Sequence, residues 1–329
     1  VEVTTPDKKK KLILNDISGY VKKGTVLCIL GPSGCGKTTL LNTLCGIQEP
    51  TSGQIYYNGK RKHSSKTSKL LSSDQMGYDG NAAYIAQNVV LLSSLTVTES
   101  LRYATKLKYL PFKKHKDKTS KEIDEFILET IDYLGLANCR DTLVGSSSLM
   151  NKSSSKSGQI SGGQKKRLAI GIELMSQPTL LFMDEVTSGL DATSAYQVFG
   201  IINRLSQLGH SIIITLHQPS SRLFAMMKDF NYYMMILQSG RTMYFGKALD
   251  SVDYFEKIIG YNLPPQVNPI DYFLDIVNDD YIRKKNQGSK ISGRNIQSQT
   301  DNKTMLSSLE IYNKYQQNLQ SKVLEDIDK

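Results

Sequence analysis

Tryptophan is absent from this chain of 329 residues, and only four cysteines and four histidines are present. Cys28, Cys35, Cys45 and Cys139 show neither a C-x-x-C spacing nor a Cys/His metal spacing. That excludes a zinc scaffold and a disulfide framework, and free thiols fit a reducing, cytosolic setting. Long apolar runs are also missing. The longest, Ile212–Leu216 and Tyr232–Leu237, have the length of a strand, far short of the roughly 20 residues that cross a bilayer. The polar opening, Val1-Glu-Val-Thr-Thr-Pro-Asp7, does not read as a signal peptide. A start on Val rather than Met leads to the expectation of an excised fragment. No internal repeat and no sustained heptad run is visible.

Charge of one sign is in excess. Lys and Arg number 41 against 31 Asp and Glu, a formal net charge of +10. The excess gathers in Lys8–Lys11, Lys60–Lys69, Lys106–Lys121 and Arg283–Lys303. These segments read as loops and tails, either as solvated surface or as attraction to an anionic membrane face. They have few interleaved aromatics, so no nucleic acid is expected as a partner.

The most informative feature present is Gly31-Pro32-Ser33-Gly34-Cys35-Gly36-Lys37-Thr38, which fits G-x-x-x-x-G-K-[ST] throughout. Glycines there let backbone N–H groups converge on phosphate oxygens. Lys37 supplies a point charge to the β- and γ-phosphates, and Thr38 offers a hydroxyl to Mg²⁺, with Thr39 behind it. Thr25–Leu30 reads as a buried strand and Lys37–Cys45 as a helix, so the phosphates would lie at a helix N-terminus. Cys35 lies inside the loop, so its alkylation is expected to block ATP by bulk.

A second apolar strand, ending in Leu180-Leu-Phe-Met-Asp184-Glu185, delivers two carboxylates where α/β sheets bind ligands. Asp184 suits magnesium coordination and Glu185 the orientation or deprotonation of water. Further upstream, Ser161-Gly162-Gly163-Gln164 precedes an apolar helix. Ser161 reads as an N-cap, and the helix start as a second anion site. The loop above already cradles the single γ-phosphate of one nucleotide. The second site is therefore expected to serve a nucleotide bound to another copy.

Strand-length runs alternate with helical patterns, which predicts a mainly parallel α/β sheet. Expected strands are Thr25–Leu30, Gln54–Tyr57, Ala82–Ala86, Thr179–Met183, Ser211–Leu216, Tyr232–Gln238 and Thr242–Phe245. Expected helices are Lys37–Cys45, Thr98–Lys106, Lys121–Leu134, Gly162–Ser176, Ala192–Leu208, Ser220–Met227 and Leu249–Ile258. Thr119-Ser-Lys-Glu122 carries a capping-box pattern. Residues 1–95 and 177–278 read as the phosphate-binding core and residues 96–176 as an inserted helical subdomain. Residues 279–329 read as a polar linker and a tail helix, Met305–Ile327. Lys60–Asn81 and Gly145–Gly158, rich in Ser, read as loosely held.

These three motifs, in this order and at about this spacing, resemble those of an ATP-binding cassette. The resemblance covers roughly Lys11–Asn278. It implies a P-loop NTPase core with antiparallel N-terminal strands, ATP and Mg²⁺ as ligands, and ATP hydrolysis. It implies that Gln87 is the Q-loop glutamine that touches Mg²⁺, that Ser188-Gly-Leu-Asp191 is the loop crossing between two cassettes, and that His217 contacts the γ-phosphate. Finer features resemble the G (white-type) subfamily of half-transporters. They are Ile13–Gly19 as the opening strand, Leu95–Leu101, Gly163-Gln-Lys-Lys-Arg167, His217-Gln-Pro-Ser-Ser221 and Asn268-Pro-Ile-Asp-Tyr-Phe-Leu-Asp275. The implied partners are a second nucleotide-binding domain, identical or not, and a transmembrane domain. The implied setting is the cytoplasmic face of a membrane, with export of a lipid, sterol or xenobiotic.

One departure is the lack of an aromatic residue placed to stack the adenine: Tyr20 lies too close to the loop and Val3 is a poor substitute. Two other readings compete. A soluble cassette ATPase acting on nucleic acid or ribosomes usually carries long coiled-coil inserts or two cassettes, and neither is visible. An inactive regulatory subunit would lack Glu185 or the Ser-Gly-Gly motif, and both are intact.

Overall fold

The structure, a computed structural model, describes residues 1–4, 10–61, 82–109, 119–145, 159–279, 281–282 and 306–328. Two units are distinguished, Val1–Lys62 with Ile213–Lys329, and His63–Ile212. The first opens with an antiparallel pair, β1 (Glu2–Thr4) and β2 (Lys10–Leu12). β3 (Val26–Leu30), Val-Leu-Cys-Ile-Leu, is buried along its whole length. A continuous apolar run of this kind is what a strand covered on both faces requires. It leads through the glycine-rich loop into α1 (Lys37–Cys45), which ends at Gly46 in a left-handed cap. A two-residue pair, β4 (Tyr56–Tyr57) and β5 (Lys60–Arg61), follows.

In the second unit β6 (Ala82–Ile85) is followed by α2 (Val97–Ala104), α3 (Ser120–Tyr133) and α4 (Gly162–Leu174). Capping boxes close the starts of all three helices: Thr96 with Glu99, Thr119 with Glu122 and Ser161 with Gln164. β7 (Leu180–Met183) pairs parallel with β6. α5 (Ala192–Gln207) starts on an Asp191 cap. β8 (Ser211–Thr215) then carries the chain out of this unit and into the first.

Back in the first unit, the Leu216 N–H beyond β8 donates to the Ile29 carbonyl of β3 at 3.0 Å. α6 (Ser221–Asp229) is followed by the hairpin β9 (Tyr233–Gln238) and β10 (Arg241–Lys247), with β9 parallel to β3. The chain winds through a single-turn α7 (Ser251–Asp253) into α8 (Pro269–Val277). Phe255 stacks on Phe273 of α8 with ring centroids 4.2 Å apart and planes 10° from parallel. Last come α9 (Ser308–Tyr315) and α10 (Ser321–Asp328), joined by a π-helical turn, Gln316–Gln320. This tail helix packs on its own unit. Ile311, Tyr312, Tyr315 and Val323 are buried, Tyr312 donates to Asp16 at 2.9 Å, and Tyr20 donates to Asp326 at 3.1 Å.

The mixed α/β frame is mainly parallel with antiparallel additions, in line with the sequence pattern. Some elements differ. Ile13–Gly19 is not a strand; the opening strands precede it, because Leu14 is drawn inward and Asn15 bonds to the Gly240 carbonyl instead of a neighbouring strand. The helix expected over Thr98–Lys106 is α only to Ala104 and continues as a π-helical turn, Thr105–Tyr109. There the Thr105 hydroxyl takes the Leu101 carbonyl at 2.8 Å and meets Met175 Sδ at 3.1 Å, a back-bond of the kind that distorts helices. Leu249–Ile258 is likewise broken into 3₁₀, α and π turns, with Tyr254 pulled toward the Met243 carbonyl. α8 was not in the expected set, although its proline at the first helical position is a start signal. Most of Lys60–Asn81 and Gly145–Gly158, and the basic segments Lys106–Lys121 and Arg283–Lys303 in large part, lie outside the described residues.

Burial of the tail helix yields a direct expectation. Ile311→Ala removes a side chain with no exposure and should cost about 2–5 kcal/mol. Leu309→Ala, at a position 52% exposed, should change stability by less than about 0.5 kcal/mol. Denaturant unfolding of the two variants distinguishes a helix that belongs to this unit from one that merely follows it.

Candidate functional site

In the first unit the end of β3 opens directly into the loop from Gly31. Gly36 adopts φ 108° and serves as the N-cap of α1 without any side-chain hydrogen bond. A residue with a Cβ would be strained there and would meet Leu14 Cδ2 at 2.6 Å. α2 to α6 all have a side chain closing the helix start, whereas α1 does not. A helix start closed by no side chain is of the kind that receives anions. Lys37 is buried, and its ammonium donates to the carbonyls of Gly31 at 2.8 Å and Pro32 at 3.0 Å. Its charge is held across the loop by backbone acceptors. Ser33, Gly34 and Thr38 are exposed and Thr39 is half-buried.

Cys35 is turned inward and buried, and burial pushes its thiol above the ordinary range. The loop therefore presents backbone rather than sulfur at this position, and the expected block by alkylation has a shielded target. His217, exposed, follows the end of β8. Asn268, from the Asn-Pro motif that begins α8, donates to the Pro219 carbonyl at 2.9 Å and so fixes the turn just after His217. Tyr20 packs edge-on against Tyr233 and Phe245, with centroids 5.6 and 5.3 Å away. It is a wall residue and does not stack a base.

In the second unit the parallel register pairs Ile85 with Met183, and the Asp184 N–H donates to the Ile85 carbonyl at 2.9 Å. Gln87, Asp184 and Glu185 therefore leave adjacent strand ends together. The Gln87 amide donates to Glu185 Oε2 at 2.6 Å. Asp184 is buried, and Glu185 lies at φ 42°, a left-handed conformation unusual for a non-glycine residue. Ser161 and Gln164 are engaged in their capping box: the Gln164 N–H donates to Ser161 Oγ at 3.2 Å and the Ser161 N–H to Gln164 Oε1 at 2.7 Å. The box leaves the N–H groups of Gly162 and Gly163 as the first-turn donors it does not use. A Cβ on Gly163 would meet Ser194 Oγ at 2.6 Å. Ser194 in turn donates to Asp191 from its hydroxyl at 2.7 Å and from its N–H at 2.9 Å. These hydrogen bonds hold the Asp191 carboxyl below the usual carboxylate range. Asp191 is the cap of α5, and it holds the Ser194 side chain against which Gly163 of α4 lies.

Lys166 was missed by the sequence reading. It is buried on α4, three residues after Gly163, and its ammonium donates to the Gln87 carbonyl. Burial lowers its pKa, and the charges of Asp184 and Glu185 oppose that shift. The available signal was a basic residue on the apolar face of a helix, at the i+3 spacing from a buried glycine. Among the described residues no group of three or more His, Cys, Asp or Glu forms a metal cluster. A cation here would need to share its shell with water and a ligand, as Mg²⁺ does.

A phosphate-binding loop on a mainly parallel α/β frame defines a P-loop nucleotide-binding domain. A family model described as ABC transporter matches residues 14–188, and one described as ABC-2 type transporter matches residues 217–317. ABC transporter G family member 1 of Dictyostelium discoideum is 36% identical over 282 residues, 84% of this chain and 32% of that protein. ABC transporter G family member 13 of Arabidopsis thaliana is 37% identical over 274 residues, 82% of this chain and 36% of that protein. The solved structure of cbiO1 from Clostridium perfringens, part of the ABC transporter complex cbiONQ, shares the fold. Its TM-score is 0.59 at 23% identity, over 78% of this chain and 90% of its own. The chain belongs to the ABC transporter family. It spans about a third of the length of the curated relatives it matches. No helix among the described residues is long and apolar enough to cross a membrane, those of 217–317 included.

The Gly163 contact sets a test. Gly163→Ala pushes a methyl into Ser194 and should destabilise by about 1–3 kcal/mol. Gly200→Ala, with nothing within 4 Å of the added carbon in the middle of α5, should be neutral or stabilise by up to about 1 kcal/mol. Thermal unfolding of the two variants reads the difference.

Proposed function

We propose that this chain is the ATP-binding and ATP-hydrolysing cassette of a G-type half-transporter and powers export of a lipid, sterol or xenobiotic. The observation that carries the reading is the helix start at Gly36, left without a side-chain cap behind a loop whose lysine is already held inside it. In this reading residues 1–95 with 177–278 form the catalytic core and residues 96–176 the helical subdomain. Residues 279–329 lead toward a transmembrane domain, and the cassette works at the cytoplasmic face of a membrane. It pairs with a second cassette, identical or not.

The loop N–H groups from Gly31 to Thr39 bind the phosphates. Lys37 transfers its charge from the Gly31 and Pro32 carbonyls to phosphate oxygens. Thr38, Gln87 and Asp184 each carry an oxygen of the type Mg²⁺ takes and are the residues that would hold it; it would neutralise charge on the phosphates. Glu185, oriented by the Gln87 amide, positions the attacking water and accepts its proton. His217 donates to the γ-phosphate as it passes from ADP to water. Ser161 and the N–H groups of Gly162 and Gly163 of a second cassette complete the anion site, with Gln164 holding that helix start and Asp191 capping α5 beside it. Catalysis of this kind needs positioning and charge stabilisation rather than covalent chemistry.

Lys37→Ala deletes a charge-assisted contact worth about 1.5–3 kcal/mol and should weaken MgATP binding about 10- to 100-fold by calorimetric titration; unchanged affinity refutes the assignment. Glu185→Gln should bind MgATP normally and lower turnover by roughly 100-fold or more, read as phosphate release. A variant that hydrolyses at the parental rate removes Glu185 from this role.

A further inference from the structure

We infer that Lys166 is a positioning residue for hydrolysis: from α4 it holds the Gln87 main chain, and through Gln87 it sets the placement of Glu185. This deepens the reading above and rests on Glu185 being the hydrolytic carboxylate.

Lysine is almost never fully buried unless paired, yet Lys166 is only 8% exposed. For stability alone an apolar residue of the same length would serve at least as well there. The ammonium is instead directed to one main-chain oxygen, that of Gln87. Gln87 is thus held at two points, its carbonyl by Lys166 and its amide by Glu185 Oε2 at 2.6 Å. Glu185 carries a left-handed backbone, φ 42°, which persists only where the surroundings over-determine it. The Ser188 N–H on its carbonyl at 3.0 Å is one restraint and the Gln87 amide is another. Lys166 fixes the second. The same helix begins with Ser161 and Gly163, the residues assigned to the nucleotide of a second cassette. A shift of α4 therefore reaches Glu185 in two links, Lys166 to Gln87 and Gln87 to Glu185. Both links lie in the second unit. The geometry ties the placement of Glu185 to the helix that meets the other copy.

The test compares Lys166→Met, which keeps the apolar stem, with Lys166→Arg, in the full chain, alongside Glu185→Gln. Lys166→Met should leave the KM for MgATP within about twofold and lower kcat about tenfold or more, the signature of lost positioning. Lys166→Arg should recover a substantial part of kcat. A second readout needs no turnover. Hydrogen exchange of the segment 86–90 in the nucleotide-free chain should quicken in Lys166→Met and return toward the parental rate in Lys166→Arg. A folded Lys166→Met with parental kcat and parental exchange overturns the inference. So does a parallel loss of binding and turnover that arginine fails to repair, which marks a packing role alone. If Lys166→Met does not fold, Lys166→Gln is read by the same measures. Should Glu185→Gln turn over at the parental rate, the hydrolytic reading falls and this inference with it. Should Glu185→Gln be inactive while Lys166→Met is not, only the role of Lys166 falls.

Discussion

Strands buried on both faces cannot carry polar side chains along their length, so the chemistry of this chain is forced to their ends. β3 ends at Leu30 and Gly31 follows; β7 ends at Met183 and Asp184 follows. Gln87 and His217 each stand two residues beyond a strand, β6 and β8. Parallel pairing makes this useful. Because β6 and β7 run the same way in register, their carboxyl ends fall level, and Gln87 and Glu185 meet. The Leu216 bond to Ile29 does the same for β8 and β3. A carboxyl edge of this type is where open α/β sheets bind ligands. An antiparallel pairing at either place would send the two polar groups to opposite ends.

Helix starts make the second division of labour. Every α-helix leaves N–H groups unsatisfied at its beginning. Thr96, Thr119, Ser161, Asp191 and Ser220 close such starts with their own side chains. The start of α1 has only Gly36, and the backbone conformation there excludes most other residues. That start therefore carries no side chain of its own over the first turn, unlike the five capped starts. The start of α4 is intermediate. Its box uses two donors, and Gly163, which has no room for a Cβ beside Ser194, lets the turn lie close to the start of α5, where Ser194 is bonded to Asp191.

The tail shows the limits of composition as a guide. Leu306, Leu309, Tyr312 and Tyr315 look like a modest apolar face on a polar helix. In the fold Tyr312 and Tyr315 are buried and Leu309 is not, and Ile311 is wholly covered. Tyr20, too close to the loop in sequence to stack a base, has its ring packed against Tyr233 and Phe245 and its hydroxyl tied to Asp326 of α10. Hydrogen bonds such as Tyr312 to Asp16 join residues almost three hundred positions apart, a separation of 296. No local pattern could report them.

The sequence by itself determined the phosphate loop, the strand that feeds it, the two carboxylates after Met183, the caps at Thr119 and Ser161, and the family they resemble. Each of these is written in a short window, because glycine freedom, side-chain capping and strand or helix periodicity act within a few residues. Only the tertiary structure decided that Lys166 is buried against Gln87, that Cys35 faces inward, that Asn268 fixes the turn after His217, and that the tail helix folds back onto its own unit. Those outcomes depend on which distant surfaces exclude water from one another, and burial of that kind is a property of the packed chain rather than of any segment of it.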